Sequence, residues 1–372
     1  MNFPRTFTVL AFCALLAGCS TTSSTKGGGG ITRDRDKVLS QYRRAASAMR
    51  GNNFAQARSL LDDAILTISG VPAKDPEARR ARGLFNEEAS KVYFGEPYER
   101  VMAYFYRGVL YWMDGEPDNA RACFRNGQFL DSDAQSQQYS GDYALLDYLD
   151  GLAGVKLGGD GTDAWQRARA HARHTVPQSY DPQANVLFFL QFGNGPTKFA
   201  GGQYGEVLVY RDGYSEVQAA RVTIAGTAHR AEIFDDLTFQ AHTRGGRVMD
   251  KILANKAAFK GTTDALGDAS LMSGLILTQS RDRTTREAGA GLALFGVLNK
   301  VVSAATTPRA DTRCWDNLPQ FLSFAAVNVP PGRHPATVEF LDARGNAIQR
   351  LTRSITVEVA PGRDTVVFLS DK

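Results

Sequence analysis

Apolar residues recur at helical spacing from Val38 to His174, and short Gly, Asn or Pro breaks divide the stretch into segments of helix length. β-branched runs are few there, so this half of the chain is predicted to be α-helical. Beyond Thr175-Val176-Pro177-Gln178 the pattern changes to short apolar, β-branched runs. Val186 to Phe192 and Val207 to Tyr210 come first, then Arg221 to Ile224 and Ala231 to Phe234, which Gly226-Thr227 joins as a hairpin. Phe321 to Val329, Ala336 to Leu341, Ile355 to Val359 and Thr365 to Leu369 have the same character. Residues 247–305, between the two strand groups, regain helical spacing, and their stretch 288–298 is strongly apolar and rich in small residues. Asn299 and Lys300 end that stretch short of the ~20 residues a membrane span requires, so a buried helix covering the sheet is expected.

Within the helical half, Tyr104, Gly108, Tyr111, Ala120, Phe124 and Gly127 fall at offsets that resemble a tetratricopeptide repeat, with Gly127 where alanine is usual. Gly108 and Ala120 are small where two helices cross, and Tyr111 and Phe124 fill the space beside them. An earlier copy uses Ala45, Ala48, Ala57, Leu61 and Ala64 around the turn Gly51-Asn52-Asn53. A fainter third uses Tyr148, Leu152, Val155, Ala164 and Ala168 around Gly158-Gly159-Asp160-Gly161. In the middle copy Gly115 suits a helix C-terminus and Pro117 the first turn of the next helix. An extra helix over about 77–93 makes the array irregular. In the β half, the turns 329–333 and 359–363 echo each other and imply an Ig-like β-sandwich. The expected fold class is therefore α+β: a TPR-like helical domain over 33–176, then a β-sandwich-like domain over 177–372 with a helical insertion.

The N-terminus changes the picture of where this fold works. Arg5 supplies positive charge, Phe7 to Leu16 form an apolar run too short to cross a membrane, and the run ends in Leu16-Ala17-Gly18-Cys19. This resembles the lipobox of bacterial lipoproteins and implies a signal peptide over 1–18, cleavage before Cys19, and diacylglycerol with a further acyl chain such as palmitate on Cys19. Two or three acyl chains hold stably where one does not. Ser20, as a residue other than Asp, implies in that family transfer to the outer membrane on its periplasmic side. The polar, glycine-rich stretch 19–32 is a tether.

With 372 residues, 43% hydrophobic and 22% charged, the chain has material for real cores, and two domains are the default. Its formal charge of +4 includes no block of like charge, which argues against a nucleic-acid partner. Cys123 and Cys314 remain after processing; independent burial is the simpler expectation, with a periplasmic disulfide as the alternative.

Candidate chemistry is sparse. His171 and His174 are three apart on a helix, but the sequence supplies no neighbouring ligand to complete a metal set, and no Gly-x-Ser-x-Gly elbow or phosphate loop is present. The adjacent acids Asp62-Asp63, Glu87-Glu88 and Asp235-Asp236 point to different faces. No catalytic, metal or cofactor residue is assigned, and the chain is expected not to be an enzyme. The aromatic segment of the middle repeat offers Tyr98, Tyr104, Tyr111 and Arg107 as protein-binding candidates on a concave repeat surface. Arg313 is expected to meet Asp311 or Asp316, with Trp315 closing the core.

Together with the repeat half, Gly95-Glu96-Pro97-Tyr98-Glu99-Arg100 and Asp311-Thr312-Arg313-Cys314-Trp315 resemble a poorly characterised family of bacterial outer-membrane lipoproteins, over most of the mature chain. The resemblance implies an architecture and a location and brings no catalytic residues. The expected function is a non-enzymatic envelope scaffold that binds other proteins. The alternatives are peptidoglycan or polysaccharide binding through the β half, and a cell-wall hydrolase.

Overall fold

The computed structural model describes residues 35–69, 92–132, 139–203, 205, 207–243 and 310–372. The leader, Cys19, the tether, the insertion over 247–305 and residues 77–91 of the expected extra helix lie outside the described residues, and residues 92 and 93 are not helical. The fold is α+β.

Six helices come first, as three consecutive pairs: α1 (Lys37–Arg50) with α2 (Phe54–Ser69), α3 (Pro97–Met113) with α4 (Pro117–Asp131), and α5 (Ala144–Lys156) with α6 (Thr162–His171). Local chemistry sets their ends. Asn52 takes the left-handed conformation between α1 and α2, and Asn53 Oδ1 accepts from the Gln56 amide to cap α2. Gly115 (φ +82°) ends α3, and Pro117 opens α4, as the cap residues predicted. Gly108 lies against Phe124: a Cβ there would stand 2.5 Å from Cε1 and 2.9 Å from Cζ of the ring. Gly108→Ala is therefore expected to destabilise. Overpacking costs about 1–3 kcal/mol and outweighs about 1 kcal/mol of gained helix propensity; the midpoint of urea denaturation measures the balance.

Seven strands form one continuous sheet in the order β8-β7-β4-β5-β6-β1-β9. They are β1 (Val186–Phe192), β4 (Ala219–Ile224), β5 (Thr227–Asp236), β6 (Phe321–Val327), β7 (Gly332–Leu341), β8 (Arg353–Val359) and β9 (Thr365–Ser370). All neighbours are antiparallel except β1 and β9, which run parallel. β2 (Thr197–Gly201) and β3 (Val207–Arg211) form a separate hairpin, and α7 (Leu237–Thr243) follows β5. The sheet curls until β8 and β9, its two edges, meet at the turn 360–364, where the Thr365 hydroxyl donates to the Glu358 carbonyl over 3.1 Å.

The expected β-sandwich is thus replaced by a near-barrel. The turn at 329–333 joins β6 to β7 and the turn at 359–363 joins β8 to β9, and in neither case are the two strands neighbours in the sheet order. The β4–β5 hairpin turns at Ala225 and Gly226, both at positive φ (48° and 78°), one residue earlier than expected.

All seven residues of β1 are buried because both faces are covered. Val186, Phe188, Leu190 and Phe192 point into the curled sheet with Val222, Ile233, Val338 and Phe340. Leu187 and Phe189 point out with Phe324 and Phe368, and there they join Tyr106, Trp112, Leu149 and Trp315 in one apolar cluster. Helices and sheet therefore share a core. α3 lies at its centre, with thirteen of its seventeen residues buried.

Candidate functional site

The segments 95–100 and 311–315 meet in space although more than two hundred residues separate them. Glu99, in the first turn of α3 and fully buried, is their junction. Its Oε1 accepts from the Trp315 backbone N–H at 2.7 Å; its Oε2 accepts from the Glu96 N–H at 2.6 Å and from Lys198 Nζ at 2.7 Å. Lys198 comes from β2, with its side chain only 1% exposed, and also reaches the Arg313 carbonyl (3.0 Å) and Glu96 Oε1 (3.7 Å). Burial alone would depress the Lys198 ammonium; the charges of Glu99 and Glu96 outweigh it and raise its pKa.

The loop 311–317 is bound to α1 by a second layer of charge. Arg313 pairs with Asp311 (2.6 Å) and Asp36 (2.8 Å). Asp316 takes a bidentate contact from Arg43 (2.8 and 3.0 Å) instead of joining Arg313, and Arg43 also donates to the Cys314 carbonyl at 2.9 Å. Trp315 is fully buried and stacked on Tyr42 with ring centroids 4.3 Å apart. Cys314 and Cys123 are buried and unpaired, and burial pushes each thiol up to about 12.

Above this assembly opens a cleft of about 650 Å³, lined by α1 (Asp36, Leu39, Ser40, Arg43, Arg44), β2 (Thr197, Lys198) and the loop Thr312 to Cys314 with Asp316. It runs into a shallower cleft of about 430 Å³ that continues along α1 through Ser47, Ala48 and Gly51 to Asn53 and Gln56.

The four candidate protein-binding residues do not form one surface. Tyr98 is fully buried, edge-on to Tyr210, and its hydroxyl is 3.8 Å from Cys314 Sγ, so it presents nothing to a partner. Arg107 is buried too: Nε donates to Asp62 at 2.6 Å and its guanidinium lies 3.4 Å from the centroid of the Tyr111 ring. Tyr111 is half-buried under that contact, and half-buried Tyr104 bonds to Ser69 at 3.0 Å. Tyr98 and Arg107, expected on a binding surface, are interior for one reason. α3 is covered on both sides, by helices and by the sheet, while helical periodicity in a sequence reveals only that some face is covered.

The histidines also separate. His171 Nδ1 lies 3.1 Å from Asp147, in a zipper where Arg167 bridges Asp147 and Asp150 and Arg121 joins Asp150; His174 packs edge-on against Phe321. Asp147 is thus the neighbouring acid the sequence did not reveal. No group of side chains with metal-ligand geometry occurs among the described residues. Asp235 is turned by a bulge in β5 to cap α5, accepting from the Ala144 and Leu145 amides at 2.9 Å each.

Burial raises both Asp235 and Asp131 to about 7, in Asp235 against those two amide bonds; the Asp147 hydrogen bond raises His171 against its burial. The signs agree. A carboxyl raised from about 4 favours folding when protonated, so its contribution falls as pH rises from about 4 to about 7. The contribution of His171 is complete below about 6.5 and is lost as pH rises through its raised value. Urea midpoints are expected to fall from pH 5.5 to 8.0. The high-pH part of that slope should flatten in His171→Gln, and an unchanged slope there would refute the assignment to His171.

Sequence reasoning missed Lys198, whose segment Pro196-Thr197-Lys198-Phe199 carries no motif. Glu96 and Glu99 flanking Pro97 at the head of a helix apolar on all sides were the available signal, since buried carboxylates there require a cation. No family model, curated protein or solved structure matches the chain.

Proposed function

We propose that this chain is an outer-membrane lipoprotein, held on the periplasmic side through acylated Cys19, that acts as a non-enzymatic scaffold for other envelope proteins. The three helix pairs are TPR-like units in this reading, docked on the near-barrel. One observation carries it. Glu99, on which the two family-like segments converge, has both oxygens engaged by the backbone and Lys198 and is wholly buried, so the junction holds a surface in shape and offers no group to a reaction. Among the described residues no helix is long and apolar enough to cross a membrane. The helical half also presents Leu66 and Phe129 at 73% and 76% exposure, large apolar side chains suited to a partner.

The test is photo-crosslinking of the full-length protein in intact envelopes, with the reactive residue placed at Phe129. Discrete protein adducts are expected; labelling of lipid and self alone would overturn the scaffold.

One observation favours a second reading, binding of cell-wall polysaccharide through the β half. A cleft of about 520 Å³ on the outer face of β5 and β6 has Tyr148, Phe234 and Phe324 at its floor and His229, Arg230 and Glu232 at its rim. Co-sedimentation of the purified protein with isolated sacculi supports this reading; a scaffold for proteins remains in the supernatant.

A further inference from the structure

The clefts above α1 are one feature. Their residues on α1 and at its two caps, Asp36, Leu39, Ser40, Arg43, Arg44, Ser47, Ala48 and Gly51, repeat at three and four, the stripe of a single helix face. Val38, Tyr42, Ala45 and Met49 of the same helix are buried, as are Leu39 and Ala48 within the stripe itself. Fifteen residue steps at 1.5 Å give a groove about 22 Å long, which an extended segment of about six residues fills at ~3.3 Å each.

Ser40, Ser47, Asn53 and Gln56 supply hydroxyl and amide groups along the groove, and the loop adds Thr312 opposite Thr197. The larger cleft is lined by four cationic side chains and two acidic ones. Three of the cations are committed, Lys198 to Glu99, Arg313 to Asp311 and Asp36, and Arg43 to Asp316. Arg44, exposed where the two clefts join, has no ion-pair partner among the described residues. A guanidinium fork with its donors open binds a carboxylate by paired, charge-assisted hydrogen bonds.

We infer that this groove binds an extended acidic peptide segment of a partner protein, with Arg44 as the carboxylate anchor. The inference rests on the scaffold reading and names its partner's chemistry. Length and lining favour a peptide over an anionic glycan: the groove matches an extended segment, and neither cleft is lined by an aromatic ring on which a sugar face would stack. The lock below explains how the groove keeps its shape, because Arg43, Asp316 and the Cys314 carbonyl tie its two walls together.

Fluorescence anisotropy of labelled hexaglutamate with the full mature protein in detergent tests this. Binding is expected, weakening as salt rises, and at least tenfold weaker in Arg44→Glu. Arg125→Glu, a charge reversal at an exposed site on α4, should stay within twofold of the parent. Thr197→Trp, which fills the cleft from β2, should weaken binding as Arg44→Glu does, and circular dichroism melting checks that each variant folds. Absence of hexaglutamate binding, equal losses in Arg44→Glu and Arg125→Glu, or tighter binding of oligogalacturonate than of hexaglutamate would each overturn the assignment. Crosslinks at Phe129 that persist without hexaglutamate binding would remove the groove and leave the scaffold; loss of those crosslinks alone would do the reverse.

Discussion

Replacing Lys198 by Met is expected to lower the free energy of unfolding by about 3–5 kcal/mol, the cost of leaving one partner of a buried ion pair without its counter-charge. The substitution is close in volume, so the loss comes from charge and not from a cavity. Glu99 would keep its bonds from the Trp315 and Glu96 amides while its remaining charge faced Tyr93, Tyr98 and Cys314, none of which is a cation. Adding Glu99→Gln should return part of the loss, because a neutral amide has no charge to compensate. A double-mutant cycle on urea midpoints measures this coupling, and additive losses would show that the pair does not act as a unit.

Trp315→Ala should cost a similar amount, about 3–5 kcal/mol, through the cavity left beside Tyr42 and Tyr106. It has a second signature that a general loss of stability lacks. The Cys314 thiol is buried and its pKa pushed up to about 12, so it should be inert to thiol reagents in the parent protein. Opening the space next to it should make Cys314 react under native conditions while Cys123, on α4, stays protected. Equal labelling of both cysteines would mean that the protein loosens as a whole.

What the sequence revealed follows from the range of each interaction. Caps and turns are written in adjacent residues: Gly115 with Pro117, the Gly51-Asn52-Asn53 turn and the small residue at 108 beneath Phe124 all act within one helix pair. The short apolar, β-branched runs that marked β1, β6 and β9 are equally local. Strand order is not, since the parallel pairing of β1 with β9 joins residues about 180 apart, and nothing in either strand specifies the other. The near-barrel was illegible for that reason.

The site divides in the same way. Glu96, Glu99, Arg313 and Trp315 stand in segments the sequence already singled out, and Arg313 does meet Asp311 as expected, with Asp36 as its second partner. Lys198 joins Glu99 across 99 positions from a segment with no motif. Tyr98 and Arg107 look like partner-binding residues because each side chain carries a polar tip that often faces water. On α3, which the sheet covers as well as the neighbouring helices, they are interior.

Helices and sheet share one core clamped at Lys198 and Glu99 and should open as one cooperative body. Hydrogen exchange followed by mass spectrometry, comparing the parent with Lys198→Met, measures that directly. Peptides from α1 and α3 and peptides from β1 and β6 should lose protection by the same free energy, because the shared core opens as a unit. Faster exchange confined to the helices, with β1 and β6 unchanged, would contradict it.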